Sequence, residues 1–272
     1  MKNLMSVDLE DYYCDLPFST WPNFSSRIIQ TTEVILDLFK KYNVSATFFT
    51  LGYIAELYPE LIEKIVSEGH EIASHSFSHY DLRKISKVQI EFDLKKSISS
   101  LEKISGEKII GFRAPFFSIS KNNLYVFDIL SKLFKYDSSI FPARTPLYGI
   151  PDAPRFPYKM NSSNPLHEVQ NADFLEIPPA TLKIPIFGNI PIAGGFYLRF
   201  LPTSLIKFGI HKLNKNHNPA MFYIHPKDLD MNMPKIDSYT WHYYYGLKNA
   251  KLKFESILKS FKFCSVKNFY SI

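Results

Sequence analysis

The chain has 272 residues, 46% hydrophobic and 21% charged, and a formal net charge of +6. That length suits one large α/β domain or two small ones with a substantial core, and the composition excludes a disordered or fibrous protein. Its lysines are mixed with acids, as in Asp93-Leu94-Lys95-Lys96, and no basic cluster or nucleic-acid motif argues for a nucleic-acid binder.

Aromatic residues reach 16%, with 24 Phe and 17 Tyr. A Phe-rich core accounts for most of them, and a groove for flat sugar faces is the sharper alternative. Two cysteines, Cys14 and Cys264, lie near opposite ends and read as reduced thiols rather than metal ligands. Asp8, Glu10 and Asp11 stand where the apolar core of a signal peptide would lie, and no run of about 18 apolar residues offers a membrane span. The expectation is a cytoplasmic protein with no transmembrane segment. Its positive charge leaves room for contact with anionic substrates or a membrane surface.

Leu4-Met5-Ser6-Val7 reads as a short buried strand ending in acids. Val34, Ile35, Leu38 and Phe39 recur at helical spacing within 28–42. Ala46 to Leu51 is β-branched and aromatic, a second strand closed by Gly52. Residues 59–68 form a helix with Pro59 at its start and Gly69 past its end. Glu71 to Ser74 is a strand leading into His75. Residues 86–105 form a long amphipathic helix carrying Ile90, Leu94, Ile98 and Leu101, stopped by Gly106. A third strand spans 109–115, a helix 123–133 and a strand end 135–139. This β-α alternation predicts parallel strands. Prolines crowd 141–202, so that stretch reads as an irregular insertion with short strands such as Phe174 to Ile177. Residues 203–217 and 247–261 are helical, and Ala220 to Ile224 is a late strand ending at His225.

Chemistry in α/β folds gathers at the carboxyl ends of parallel strands, and here those ends supply Asp8, Glu10, Asp11, His75, His79, Arg113, Asp137 and His225. His75-Ser76-Phe77-Ser78-His79 places two imidazoles at i and i+4, on one face if the segment is helical. With one carboxylate from the N-terminal segment they make a two-histidine, one-carboxylate site with open positions, the pattern of catalytic zinc. Asp8 can serve as base and His225 as acid. Arg113 can orient Asp8, and Asp137 can keep His225 protonated.

These residues, in this order, resemble the polysaccharide deacetylase family, also called the NodB-homology or carbohydrate esterase family 4 group. Ser6 to Asp11, Thr47-Phe48-Phe49, His75 to His79, Arg113-Ala114-Pro115-Phe116, Asp137-Ser138-Ser139 and His225 match its motifs in turn. The stretches Tyr148 to Pro157 and Pro191 to Pro202 are similar to a subgroup associated with exopolysaccharide and O-antigen assembly. The resemblance implies a distorted (β/α) barrel of about seven parallel strands, with 1–272 as one domain and 141–202 as the irregular Pro-rich insertion. It implies a divalent metal, most often zinc with Co2+ or Ni2+ as alternatives, and removal of N-acetyl groups from an N-acetylated sugar in a polysaccharide, oligosaccharide or lipid-linked precursor. Asp8 would be the base with Arg113 as partner, His225 the acid steered by Asp137, and His75 and His79 metal ligands. The backbone N–H of Phe116 would hold the oxyanion. Leu9 follows Asp8 where relatives have a second aspartate, so the carboxylate ligand is Asp11 if the chain turns, or Glu10 if the strand continues. Two other readings of the scaffold are a hydrolase of a non-sugar amide or cyclic ureide, and a catalytically silent glycan-binding protein.

Overall fold

The structure, a computed structural model, describes residues 1–272. Its centre is a curled sheet whose path is β10 (Met221–Ile224), β1 (Lys2–Leu9), β2 (Thr47–Thr50), β3 (Glu71–Ser74), β4 (Gly111–Phe112), β5 (Tyr136–Asp137) and β7 (Phe174–Glu176), all parallel, with β6 (Tyr158–Met160) antiparallel at the far edge. A further parallel strand, β11 (Lys262–Cys264), pairs with the first residues of β1. The two edges are tied by the segment after β7: the Ile177 N–H donates to the Asp137 carbonyl (2.8 Å) and the Ala180 N–H to the Met221 carbonyl (2.9 Å). The expected distorted (β/α) barrel of about seven parallel strands is therefore present, as a curled, mostly parallel half-barrel.

Helices α1 (Ile28–Tyr42), α2 (Gly52–Leu57), α3 (Pro59–Ser67), α4 (Lys87–Ser105), α5 (Phe127–Leu133), α7 (Thr203–Lys215) and α9 (Leu247–Ser260) accompany the strands, and α10 (Val266–Tyr270) ends the chain. Local signals set several boundaries. Ser86 caps α4 through the Gln89 N–H while Gln89 Oε1 accepts from the Ser86 N–H at 2.9 Å, a reciprocal cap of about 1 kcal/mol. The Pro-rich stretch holds β6 and β7, a hairpin of β8 (Thr181–Ile184) and β9 (Gly188–Pro191), and the short helix α6 (Gly195–Phe200). A last short helix, α8 (Trp241–Tyr244), precedes α9.

Strand alternation sorts residues into two layers. Met5, Val7, Leu9, Phe48, Ile72, Phe112, Phe222 and Ile224 join the larger core beneath the helices. Leu4, Phe49, Ala73, Tyr136, Ile177 and Met221 fill the inside of the curl. The same alternation carried one step further points Asp8, Glu10, His75, Arg113 and His225 inward. The floor of the curl is thus apolar and its carboxyl-end rim is polar.

Candidate active site

Asp8 and Arg113 lie at the base of the rim, 2% and 0% exposed. Arg113 Nη1 meets Asp8 Oδ1 at 2.5 Å and Ser6 Oγ at 3.0 Å, while Nη2 and Nε bond Ser138 Oγ and its carbonyl at 2.8 and 3.1 Å. Phe49 packs under the guanidinium, 4.2 Å from ring centroid to Cζ. A charge this deep is tolerable because every partner is in place; removing one from such a pair costs about 3–5 kcal/mol.

Glu10, the residue just past the end of β1, follows the strand's alternation inward. Its Oε1 accepts from Lys227 Nζ at 2.7 Å. Its Oε2 lies 2.6 Å from His79 Nε2 and 3.8 Å from His75 Nε2, yet it is buried without a formed hydrogen bond. His75 Nδ1 sits 2.8 Å from the Arg113 carbonyl and His79 Nδ1 2.9 Å from the Cys14 carbonyl. A carbonyl only accepts, so each Nδ1 carries the proton and each Nε2 offers its lone pair. Two lone pairs and a bare carboxylate oxygen, all within 4.8 Å of one another, form a donor set suited to a divalent cation. Burial lowers His75 to about 4, which keeps it neutral and available as a ligand. Burial opposes ionisation of Glu10 too, but the Lys227 ammonium leads the charges that outweigh it and hold the carboxyl well below its usual range.

The histidine pair is not helical, contrary to expectation. Residues 75–81 run as a loop, with Ser76 and His79 at φ 70° and 55°. Ser76 Oγ accepts the His79 N–H at 3.1 Å, and Asp93 on α4 accepts the Phe77 N–H at 2.8 Å. The positive-φ turns, rather than a helical face, bring the rings to 5.2 Å between centroids.

Two other expectations are corrected. Asp11 does not join the ligand cluster. The chain turns after Glu10, and the Asp11 carboxylate accepts from the N–H groups of Tyr12, Arg27 and Ile28 and from Ser26 Oγ, at the entrance of α1. Asp137 does not reach His225. Its register row runs through Leu9, Thr50, Ser74, Phe112, Asp137 and Glu176, and Leu9 and Phe112 of that row face the helices. Asp137 therefore points out of the curl, bonds Ser139 (Oγ to Oδ1, 2.6 Å) and pairs with Glu176.

Asp228 occupies the place expected of Asp137. His225 Nδ1 lies 2.8 Å from Asp228 Oδ2, which also accepts the His225 N–H at 2.9 Å. Asp228 Oδ1 accepts from Arg199 Nε at 3.1 Å. Burial would lower His225, but Asp228 reverses that and raises it, while His225 and Arg199 overcome burial to bring Asp228 down to about 2. The signal for Asp228 was its position three residues after His225 with Pro226 between, the spacing of a short helical turn with Pro first. The side chain of Asp228 presses on Gly195, where any Cβ would collide with its carboxylate. His225 Nε2 faces Asp8 Oδ2 at 3.7 Å and Glu10 Oε1 at 3.6 Å. Phe116, at φ 57°, closes one side, its ring 4.4 Å from that of His79.

Residues 20–130 match the family described as polysaccharide deacetylase, a span that holds His75, His79, Arg113 and Phe116. Residues 20–130 thus carry a polysaccharide deacetylase domain. Residues 138–271 match a domain of unknown function, DUF3473, which holds Arg199, His225, Lys227 and Asp228. The chain is similar to the peptidoglycan-N-acetylglucosamine deacetylase of Bacillus cereus, 35% identical over 96 residues, a match covering 35% of each protein. That likeness spans only about a third of that relative's length. It is also similar to the peptidoglycan deacetylase of Helicobacter pylori, 28% identical over 234 residues, covering 82% of this chain and 70% of that one. A solved structure from Mycobacterium smegmatis, described as a polysaccharide deacetylase, shares the fold with a TM-score of 0.59 at 17% identity, covering 97% of this chain and 86% of that one. No helix of the present chain is long and apolar enough to cross a membrane.

Proposed function

We propose that the protein removes N-acetyl groups from an N-acetylated sugar of a glycan by cation-assisted amide hydrolysis. The observation that carries this reading is the bare, ionised Glu10 oxygen between two Nε2 lone pairs, flanked by Asp8 and His225. The match of residues 20–130 to the polysaccharide deacetylase model and the similarity to relatives named as deacetylases support it.

A divalent cation held by Glu10, His75 and His79 would polarise the acetyl carbonyl and acidify water, and the nitrogen and oxygen donor set suits zinc. Asp8 is the general base. Its Oδ1 is committed to Arg113, which leaves Oδ2 facing the cavity to take a proton from the attacking water. The Phe116 N–H is the donor we assign to the carbonyl oxygen as charge grows on it. His225 is the general acid: Nδ1–H is fixed on Asp228, so Nε2 delivers its proton to the sugar nitrogen as the carbon–nitrogen bond breaks. Acetate and a free amine leave. Both halves of the chain build this one cavity, so we treat 1–272 as a single catalytic unit. The stretches 148–157 and 191–202 favour a glycan of exopolysaccharide assembly as the substrate class.

Metal analysis with an acetate-release assay tests the proposal. We expect one divalent ion per chain, release abolished by a chelator and restored by zinc. Undiminished release from metal-free His75→Ala protein would overturn it.

A further inference from the structure

The cavity around Glu10, His75 and His79 measures about 450 Å³, ample room for more than an acetamido group. Away from the acid–base pair it opens onto an aromatic shelf built by α6 and α8. Phe196 and Phe200 stack at 5.4 Å, Trp241 meets Phe196 edge-on at 6.2 Å, and Tyr245 packs on Phe200 and Trp241 at 5.8 and 5.7 Å. Trp241 is 62% exposed although it lines the same cavity as the histidines. Contiguous exposed aromatic surface beside a site is a mark of binding.

The shelf is held in place. Arg199 Nη1 donates to the carbonyls of His242, Tyr243 and Tyr245 at 2.9, 3.0 and 2.7 Å, while its Nε holds Asp228. One guanidinium therefore fixes both the shelf and the carboxylate that orients His225. Between shelf and histidines the wall is polar, because Lys227 Nζ bridges Glu10 and Asp15 at 2.7 and 2.9 Å.

We propose that this shelf is a subsite for the sugar ring next to the one that loses its acetyl group, with Trp241 as the stacking platform. This inference rests on the deacetylase reading. A pyranose has an apolar C–H face and a rim of hydroxyls. The shelf meets the first with flat aromatic faces and the Asp15–Lys227 pair beside it meets the second. An acyl chain would cover the aromatics but leave that ion pair against hydrocarbon, at a desolvation cost.

The chain has two tryptophans, and Trp21 is 1% exposed, so acrylamide quenching reads Trp241 nearly alone. The probes are N-acetylglucosamine and its β-linked tetramer, added to zinc-supplemented Asp8→Asn protein, which should hold the ligand uncleaved. We expect the tetramer to shield Trp241 and the monomer to leave it open at equal concentration. By calorimetry, Trp241→Ala should weaken tetramer binding roughly 3- to 10-fold, and Trp241→Phe should restore most of it. No shielding by the tetramer, equal shielding by the monomer, or undiminished tetramer binding to Trp241→Ala overturns the subsite. Shielding by phosphatidylcholine vesicles in place of the tetramer assigns the shelf to lipid and also overturns it. Shielding by the tetramer with no acetate release from any N-acetylated glycan by the wild-type zinc protein sinks the deacetylase reading and leaves the sugar subsite standing.

Discussion

Two buried carboxylate clusters sit at the same level of the sheet on opposite faces. Inside the curl, Glu10 leaves Oε2 without a donor; outside it, Glu176 does the same. The surroundings differ in sign. The Lys227 ammonium leads the charges that overcome burial and hold Glu10 ionised. Glu176 meets burial and the second acid Asp137, which push it well above the usual carboxylate range. Glu176 is thereby held protonated beside Asp137, whereas Glu10 stays ionised beside two imidazole nitrogens. An unpartnered buried carboxylate oxygen thus marks a cation site only where neighbouring charge keeps the group ionised.

The sharpest way to break that contrast is Glu10→Gln. It keeps the shape and the Lys227 contact but removes the charge, so metal retention should fail and acetate release should fall by at least about 10³-fold. Metal content and turnover, measured on the same preparation, check it; a variant that keeps its ion would return Glu10 to a structural role. Next in size is the acid. Asp228→Asn leaves His225 in place but takes away the charge that raises it, and release should drop roughly 10²- to 10⁴-fold with the loss steepest at high pH, where His225 is no longer protonated. Asp137→Asn, on the outer face, should change turnover little. Equal losses in both variants would mean that the outer pair is part of the acid's circuit after all.

How much of this the chain itself discloses depends on what sets each position. Asp8, Arg113, His75 and His225 follow from strand ends, because hydrophobic runs and β-α alternation reveal parallel strands and their carboxyl rim. Glu10 follows from the period of two along β1, provided the alternation is known to hold one residue beyond the strand's end at Leu9. Asp137 was misplaced because its direction depends on a register carried across six residue positions from Leu9 to Glu176, and register is not written in a strand of two residues. Spacing at i and i+4 fits a helical face and a loop with two positive-φ residues alike, so it brings His75 and His79 together without fixing the local backbone. Arg199 and Lys227 gave no local signal: each acts on groups brought near only by the closed fold. Helix α6 was hidden because its apolar residues follow Gly194-Gly195 with no clean period.

Smaller effects test the outer face. The unfolded Glu176 carboxyl titrates near its ordinary value of 4.5, while in the fold it is raised well above that. A raised acid contributes stability that is complete below about 4.5 and is lost as pH climbs toward the folded value. Glu176→Gln removes this dependence, so the variant should gain on the wild type as pH rises, at up to about 1.4 kcal/mol per pH unit while one proton is at stake. Urea unfolding at several pH values between weakly acid and weakly alkaline checks it, and parallel curves for the two proteins would show that Glu176 is ionised like Glu10.

The smallest expected effect belongs to Asp11, and it separates the two carboxylates that compete for the proposed cation site. Burial raises Asp11, yet Ser26 and three backbone N–H groups surround it, so its oxygens are spent on the entrance of α1. Asn keeps one acceptor oxygen and loses the charge, which should cost about 1 kcal/mol of stability, as for a weakened helix cap. Metal content should hold, and acetate release should stay within about twofold, because no atom of Asp11 belongs to the Glu10–His75–His79 cluster. Loss of the ion in Asp11→Asn together with its retention in Glu10→Gln would reverse the assignment, since only a ligand's charge, and not a helix cap's, is needed to hold a divalent cation.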